Sequence, residues 1–470
     1  MNVKALEIRI GGQRVGVLFQ YSQEGGQVIN RFVADEAFIA MAAPPVVSTS
    51  FLANSPEEQE LAWRDLASVP LNGKLSSDGT SWLLPSFFQN LLPEGVFRDH
   101  VAQLRHCASD DHFELLAACG KDLPGNVHAL PISLSRDELT HYITQNADAL
   151  EMTVTADPLE EGVSLSGVQP KLGVIKDGER YVGRTKDHDT HIIAKLPVAG
   201  TALLPEVEDL SLRLAAAAGV NVCQAYLEPL SKLAAQHHYD LSGTDGKPLD
   251  VARSHFLAVV RYDRSPAGRV HCEDFAQVLG VMPQNKYTKA YSYTAIAAVM
   301  MAEPSLGESA VHELLRRLVA NEMLGNLDMH LKNIGLWYPD GRTPELPPAY
   351  DIVAHVVYHN ATRGHGLRIL PDDEDLALPK DKSSRAPDAV RQLAHRPALT
   401  PVVLRRFCDL VGILERPAAK VISDCVRAAV DKWPEMIAAS LLTENQKSRL
   451  LAHFYAHPMV ESVRKRQHKT

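Results

Sequence analysis

The stretch Gly325-Asn326-Leu327-Asp328-Met329-His330-Leu331-Lys332-Asn333, with Tyr350-Asp351 a short way downstream, constrains this chain more than any other feature. It sets an acid, a lysine and an asparagine within six residues and adds a second acid later. Phosphoryl transfer needs that combination. Asp328 can orient and deprotonate an attacking hydroxyl, and Lys332 can offset charge on the moving group. Asn333 and Asp351 are hard oxygen ligands of the kind Mg²⁺ takes in small number, leaving phosphate and water to complete its shell. Upstream, residues 309–323 place Val311, Leu314, Leu315, Leu318 and Val319 on one stripe and read as an amphipathic helix. Gly325 ends it, so the polar cluster is expected on a loop presented by a rigid helix. Taken alone, such a cluster is equally well explained as a solvated turn. His330 has no second histidine at ligand spacing on the same element, which argues against zinc.

Other segments supply the context. Residues 163–174 contain Ser164-Leu165-Ser166-Gly167-Val168-Gln169-Pro170-Lys171 and run into a hairpin pattern over 173–181, with Lys176-Asp177-Gly178 at its turn. A Ser/Gly loop followed by Gln and Lys can offer backbone N–H groups and a cation to phosphate oxygens. The spacing is not that of a Walker A motif, and in isolation a structural turn explains the segment as well. Next, residues 191–197 form a short apolar strand with Lys195 set among aliphatics. Such a lysine is either a snorkelling edge residue or the strand cation that clamps nucleotide phosphates and pairs with a helix glutamate. Residues 205–215 read as a helix with an acidic first turn. Glu208 is the expected partner of Lys195, with Glu206 as the alternative.

These parts occur in kinase order. Together, Ser164 to Lys171, His191-Ile192-Ile193-Ala194-Lys195-Leu196-Pro197, Val260-Arg261-Tyr262-Asp263-Arg264, Gly325 to Asn333 and Tyr350-Asp351-Ile352 resemble the HipA serine/threonine kinases, the toxins of bacterial toxin–antitoxin modules. The N-terminal part agrees. A hairpin pattern over 3–19 with Gly11-Gly12 at the turn precedes Phe87-Phe88-Gln89-Asn90-Leu91-Leu92-Pro93-Glu94-Gly95 and Gly120-Lys121-Asp122-Leu123-Pro124-Gly125. The likeness spans nearly the whole chain. It differs from eukaryotic protein kinases, since neither His-Arg-Asp nor Asp-Phe-Gly stands at the corresponding places.

The resemblance implies an α+β, two-lobed protein-kinase-like fold with an N-terminal subdomain and a helix-rich C-terminal lobe. It implies ATP and Mg²⁺ as cofactors, Asp328 and Lys332 as catalytic residues, a Lys195–Glu208 ion pair, and metal held by Asn333 and Asp351. Nucleotide contacts are implied at Ser166, Gly167, Val168, Gln169, Lys171, Lys195, Val260, Tyr262, Asp263, His330 and Asn333. Val260 stands in the hinge where some relatives carry an acid, and backbone groups meet adenine there. A serine matching Ser164 is autophosphorylated in the family and inactivates the kinase, with Ser166 as a competing acceptor here. The implied substrate is an aminoacyl-tRNA synthetase, the outcome growth arrest, and the partner a HipB-like helix-turn-helix antitoxin that supplies DNA binding. Two other classes compete: a small-molecule kinase on the same scaffold, and a non-catalytic co-repressor or assembly protein with a kinase-like fold. The intact Asp328, Asn333 and Asp351 argue against the second.

Composition agrees with this class without selecting it. At 470 residues, with 45% hydrophobic and 22% charged residues, the chain can bury several cores. A net charge of −9 argues against DNA binding by the chain alone, because phosphate contacts need a basic footprint. Cys107, Cys119, Cys223, Cys272, Cys408 and Cys425 lack CxxC pairing, which suits buried thiols in a reducing cytoplasm. No apolar run is long enough to span a membrane, so a cytoplasmic protein is expected. The expected organisation is an N-terminal subdomain over 1–150, a strand-rich nucleotide lobe over 151–262, a helical catalytic lobe over 263–456 and a basic tail over 457–470, whose run from Arg464 to Lys469 is expected to be solvated and disordered. Helices are expected at 57–66, 88–104, 401–411 and 418–429, helical periodicity from Cys272 onward apart from the catalytic loops and the segment 364–385, and a solvated acidic loop at 372–375.

Overall fold

The computed structural model describes residues 2–22, 28–65, 67–76, 79, 82–142, 151–160, 162–165, 167, 169–184, 188–235, 250–359, 364–371 and 398–467. Ser166, Val168, the acidic run 372–375 and residues 468–470 lie outside them.

Period-two alternation in the first thirty residues produces an antiparallel meander. β1 (Asn2–Ile10), β2 (Gln13–Ser22) and β3 (Val28–Ala34) pair in register, Leu6 opposite Leu18 and Leu18 opposite Phe32. β4 (Val127–Pro131) and the short β5 (Glu151–Met152) add to β1 and complete the sheet. One face packs Phe32, Phe51, Trp63, Phe87 and Phe88 against the helices Pro56–Arg64, Ser86–Asn90 and His112–Cys119. The uninterrupted helix expected over 88–104 is two helices, Ser86–Asn90 and Gly95–Arg105. Pro93 explains the break, since within a helix it would remove a hydrogen bond and clash with the preceding turn.

A second antiparallel sheet follows in the order β7-β6-β8-β10-β9. Its strands are β6 (Lys171–Asp177), β7 (Arg180–Val182), β8 (Ile192–Lys195), β9 (Ala225–Pro229) and β10 (His255–Val260). The helix Leu204–Ala217 lies across it and is buried along most of its length. A small pair, β11 (Arg264–Ser265) and β12 (Gly268–Arg269), leads to β13 (His271–Asp274). β13 pairs with β14 (Gly335–Tyr338), so the region after Cys272 is not purely helical.

The remainder is a helical body built on Gly307–Leu324, whose apolar stripe is fully buried. Around it pack Tyr293–Ala302, Pro401–Val411, Glu415–Ala438 and Glu444–Tyr455. Trp433 locks this body to the sheet's helix by donating its indole N–H to the Leu214 carbonyl at 2.8 Å. The expected basic tail is a helix instead. Pro458–Gln467 buries Val460, and Arg464 covers the Tyr455 ring at 4.0 Å. An apolar anchor four residues into the segment decides its state over the charge run that follows. All six cysteines are free thiols, five of them buried. No described helix is long and apolar enough to cross a membrane.

Candidate active site

The loop after the central helix forms as the sequence requires. Gly325 adopts φ +66° as the C-cap, and a β-carbon there would stand 2.9 Å from that of Val356. Asn326 turns back onto Asn321, and its side-chain oxygen accepts from the Asp328 N–H at 3.1 Å. Asp328 is thereby turned outward, 40% exposed, and receives a hydrogen bond from the Tyr287 hydroxyl. Asn333 donates its amide to the Asp328 carbonyl at 2.8 Å, which commits its nitrogen and leaves its side-chain oxygen for a ligand. His330 is buried beside them, edge-on to Tyr287 at 4.8 Å, and burial pulls its imidazole down to about 4. It is neutral at pH 7 and accepts the Lys332 N–H at 3.2 Å.

Lys195 leaves β8 into the cleft between sheet and helical body. Its ammonium donates to both Glu208 and Asp351. Glu206, the alternative partner, is taken by His255 at 2.9 Å. Burial opposes ionisation of Asp351, but Lys195 and Lys171 outweigh it and hold the carboxyl well below the usual range. Burial and the Asp351 charge push Glu208 the other way. Asp351 also sits at φ +53°, a left-handed backbone that non-glycine residues hold only when their surroundings over-determine it. Tyr350 supplies part of that restraint. It stacks on Tyr262 with centroids 5.7 Å apart and donates to the Lys332 carbonyl at 3.0 Å. The same cleft is lined by Ser164, Lys171, Val260, Tyr262, Cys272 and Lys332.

Ser164, Leu165 and Lys171 of the glycine-containing segment line it. Gly167 has φ +92°, and a β-carbon there would meet the Lys171 ammonium at 2.8 Å. Gln169 reaches the Leu196 carbonyl at 3.5 Å. Ser164 is 1% exposed, donates its hydroxyl to the Leu91 carbonyl and its N–H to the Asp122 carbonyl at 3.0 Å.

Two of the expected site residues also hold partners within the protein. Asp263 has both oxygens occupied, by Arg261 at 2.9 and 3.1 Å, Arg264 at 2.7 Å and the Gly125 N–H at 2.8 Å. With Asp122, which also receives Arg261 and Arg264, it forms a buried ion network joining the N-terminal subdomain to the sheet. Three of the four bonds to Asp263 go to Oδ2, and Asp263 also lines the cleft. Lys332 is turned toward Asn90 O (3.0 Å) and Oδ1 (3.2 Å), Glu94 (3.2 Å) and Asp274 (3.5 Å), so its charge is already balanced. Sequence reasoning gave no role to Asn90, Glu94, Asp274 or Tyr287. The first two were visible within the segment 87–95, while the others carry no local signal. Among the described residues no group of three or more His, Cys, Asp or Glu could hold a metal. One ionised carboxylate and one amide oxygen fit Mg²⁺, which takes few protein ligands.

A strand lysine paired to a helix glutamate, facing an acid–asparagine loop below a glycine turn, defines a kinase-like protein. The chain belongs to the HipA family: residues 6–130 match the HipA N-terminal domain and 163–433 the HipA-like C-terminal domain. It is 33% identical to the proposed kinase Y4dM of Sinorhizobium fredii over 386 residues, 81% of this chain and 84% of that one. It is 24% identical to the serine/threonine-protein kinase toxin HipA of Shewanella oneidensis over 65% of this chain and 70% of that one. Its fold is that of a chain in the Shewanella oneidensis complex of HipA, HipB and operator DNA, with a TM-score of 0.62 at 19% identity, covering 98% of this chain and 99% of that chain.

Proposed function

We propose that this protein is an ATP- and Mg²⁺-dependent serine/threonine protein kinase and the toxin of a HipA/HipB-type module. The observation that carries the reading is the buried Lys195 ammonium shared between Glu208 and Asp351, with the Asp328–Asn333 loop alongside. Bound Mg²⁺ would neutralise phosphate charge, held by Asp351 and Asn333. Lys195 and Lys171 take phosphate oxygens, together with backbone groups of Ser166, Gly167 and Val168 and the Gln169 side chain. Val260 and Tyr262 bound the adenine, with His330 at the phosphate end. Asp328 accepts the proton of the attacking hydroxyl, and Lys332 adds positive charge on the same loop.

The substrate in this reading is an aminoacyl-tRNA synthetase, and Ser164 is the inactivating autophosphorylation site. A helix-turn-helix partner of the HipB kind supplies the DNA contact, in keeping with the net charge of −9. The working units are 1–150, 151–262 and 263 to the terminal helix, in the cytoplasm. Phosphoproteomics of cells expressing wild type beside Asp328→Gln tests it. A synthetase phosphorylated only by wild type is the expected result, and labelled phosphate passing solely to small molecules would overturn it.

A further inference from the structure

The segment 87–95 has no part in the phosphoryl-transfer reading, yet its side chains enter the cleft. Glu94 stands at the N-cap of Gly95–Arg105 without capping that helix. An N-cap side chain commonly satisfies its own first turn. Here the carboxylate serves three other segments. Oε2 accepts the Gly167 N–H at 3.2 Å and lies 3.4 Å from the Lys286 ammonium, while Oε1 lies 3.2 Å from that of Lys332. Two further ties run the same way, from Ser164 to the carbonyls of Leu91 and Asp122. The glycine loop therefore hangs at this end from the N-terminal subdomain.

We propose that Glu94 is a positioning residue that fixes the Gly167 turn over Lys171 and ties it to Lys332 of the catalytic loop. The N-terminal subdomain thereby becomes a working part of the nucleotide cleft. The proposal rests on reading 163–171 as the phosphate loop. A carboxylate bonded to a backbone N–H in a partly desolvated site makes a strong hydrogen bond. Gly167, held at φ +92° without a side chain of its own to pack, depends on it. Alanine removes both the acceptor and the charge. Glutamine keeps an acceptor for Gly167 and loses the charge toward Lys286 and Lys332.

Hydrogen–deuterium exchange on the full chain without nucleotide, for wild type, Glu94→Ala and Glu94→Gln, tests this independently of turnover. In Glu94→Ala the peptide covering 163–171 should exchange about tenfold faster or more, while peptides over β8 and β10 keep the wild-type rate. Glu94→Gln should restore much of that protection. In kinetics, Glu94→Ala should raise KM for Mg·ATP about tenfold with a smaller change in kcat. Unchanged exchange over 163–171 in Glu94→Ala overturns the proposal, as does a rise spread evenly over the whole chain. If wild type shows no turnover with any protein substrate, the kinase reading falls and the exchange result alone decides the role of Glu94.

Discussion

Lys171 lies directly opposite Lys195 in the antiparallel register of β6 and β8, so both ammonium-bearing side chains leave the sheet on one face. Like charges in that position repel, and both residues are buried. Burial pulls the Lys171 ammonium down, Asp351 supports it and Lys195 adds to the fall. Two buried cations abreast, with Glu208 and Asp351 beside Lys195, suit the nucleotide phosphates of the proposed function.

Replacing one of the two should separate stability from binding. Lys171→Met is expected to keep or raise the melting temperature of the nucleotide-free protein, because burial already disfavours the ammonium that the substitution removes. Affinity for ATP should fall about tenfold or more, since a phosphate contact is lost. Thermal shift with and without Mg·ATP reads both. A variant that melts lower and binds normally would show that Lys171 serves packing.

Asp328 is the exposed acid of its loop, and its orientation is set by Asn326 and Tyr287. Asp328→Asn should lower turnover by about two orders of magnitude while ATP affinity stays within a few-fold. Tyr287→Phe removes one donor and should cost only a few-fold in turnover. Steady-state kinetics beside nucleotide titration makes the comparison, and normal turnover in Asp328→Asn would remove the residue from the mechanism.

Asp263 belongs to the ion network that rivets three segments together. Asp263→Asn leaves Arg261 and Arg264 short of a buried charge, which costs about 3–5 kcal/mol. Chemical denaturation should show that loss. ATP affinity of the fraction that remains folded should be unchanged. A selective loss of ATP affinity at full stability would return Asp263 to the nucleotide site.

Much of this was legible in the sequence, and the reasons differ by residue. The helix before Gly325, the hairpins and the Lys195 strand follow from periodicity and caps, which act over a few residues. Glu208 is the preferred partner of Lys195 on sequence, with Glu206 as the alternative because both sit in one acidic turn. His255, 49 residues away, takes Glu206. Asp263 stands in the hinge motif, and nothing in the sequence signals that its carboxylate also answers Gly125, 138 residues before it. The contact of Lys332 with Asn90 is equally hidden, since Asn90 lies 242 residues before it. Long-range ion pairing has no period, and neighbours in sequence cannot report it.

Acid should unfold this protein steeply. Burial holds His112, His128, His271 and His330 each near 4, below the ordinary 6.5. A histidine with a depressed folded-state value binds its proton more readily when unfolded. Its contribution is therefore whole above about pH 6.5 and is lost as pH falls toward 4. Each one adds up to about 1.4 kcal/mol per pH unit across that window. Denaturant titrations at steps of pH should show the slope, and His271→Asn should flatten it by one proton's worth. An identical slope in that variant would mean His271 does not titrate on unfolding.

Ser164 is buried at the wall of the cleft, with its hydroxyl committed to the Leu91 carbonyl. Phosphorylation therefore requires the loop to leave this position first. Once added, a phosphate brings about −1.5 to −2 charge and only acceptor oxygens at neutral pH. It cannot donate to the Leu91 carbonyl, and the 1% exposed site has no room for a dianion. The modified loop should stay out, taking the Gly167 turn away from the nucleotide phosphates. Protein made in active form is expected to carry phosphate at Ser164 and to bind ATP poorly, whereas Asp328→Gln protein should be unmodified there. Intact mass and peptide mapping of the two preparations, with ATP titration of each, make the test. Phosphate found only at Ser166, or none in a kinase shown to be active, would remove Ser164 from the mechanism.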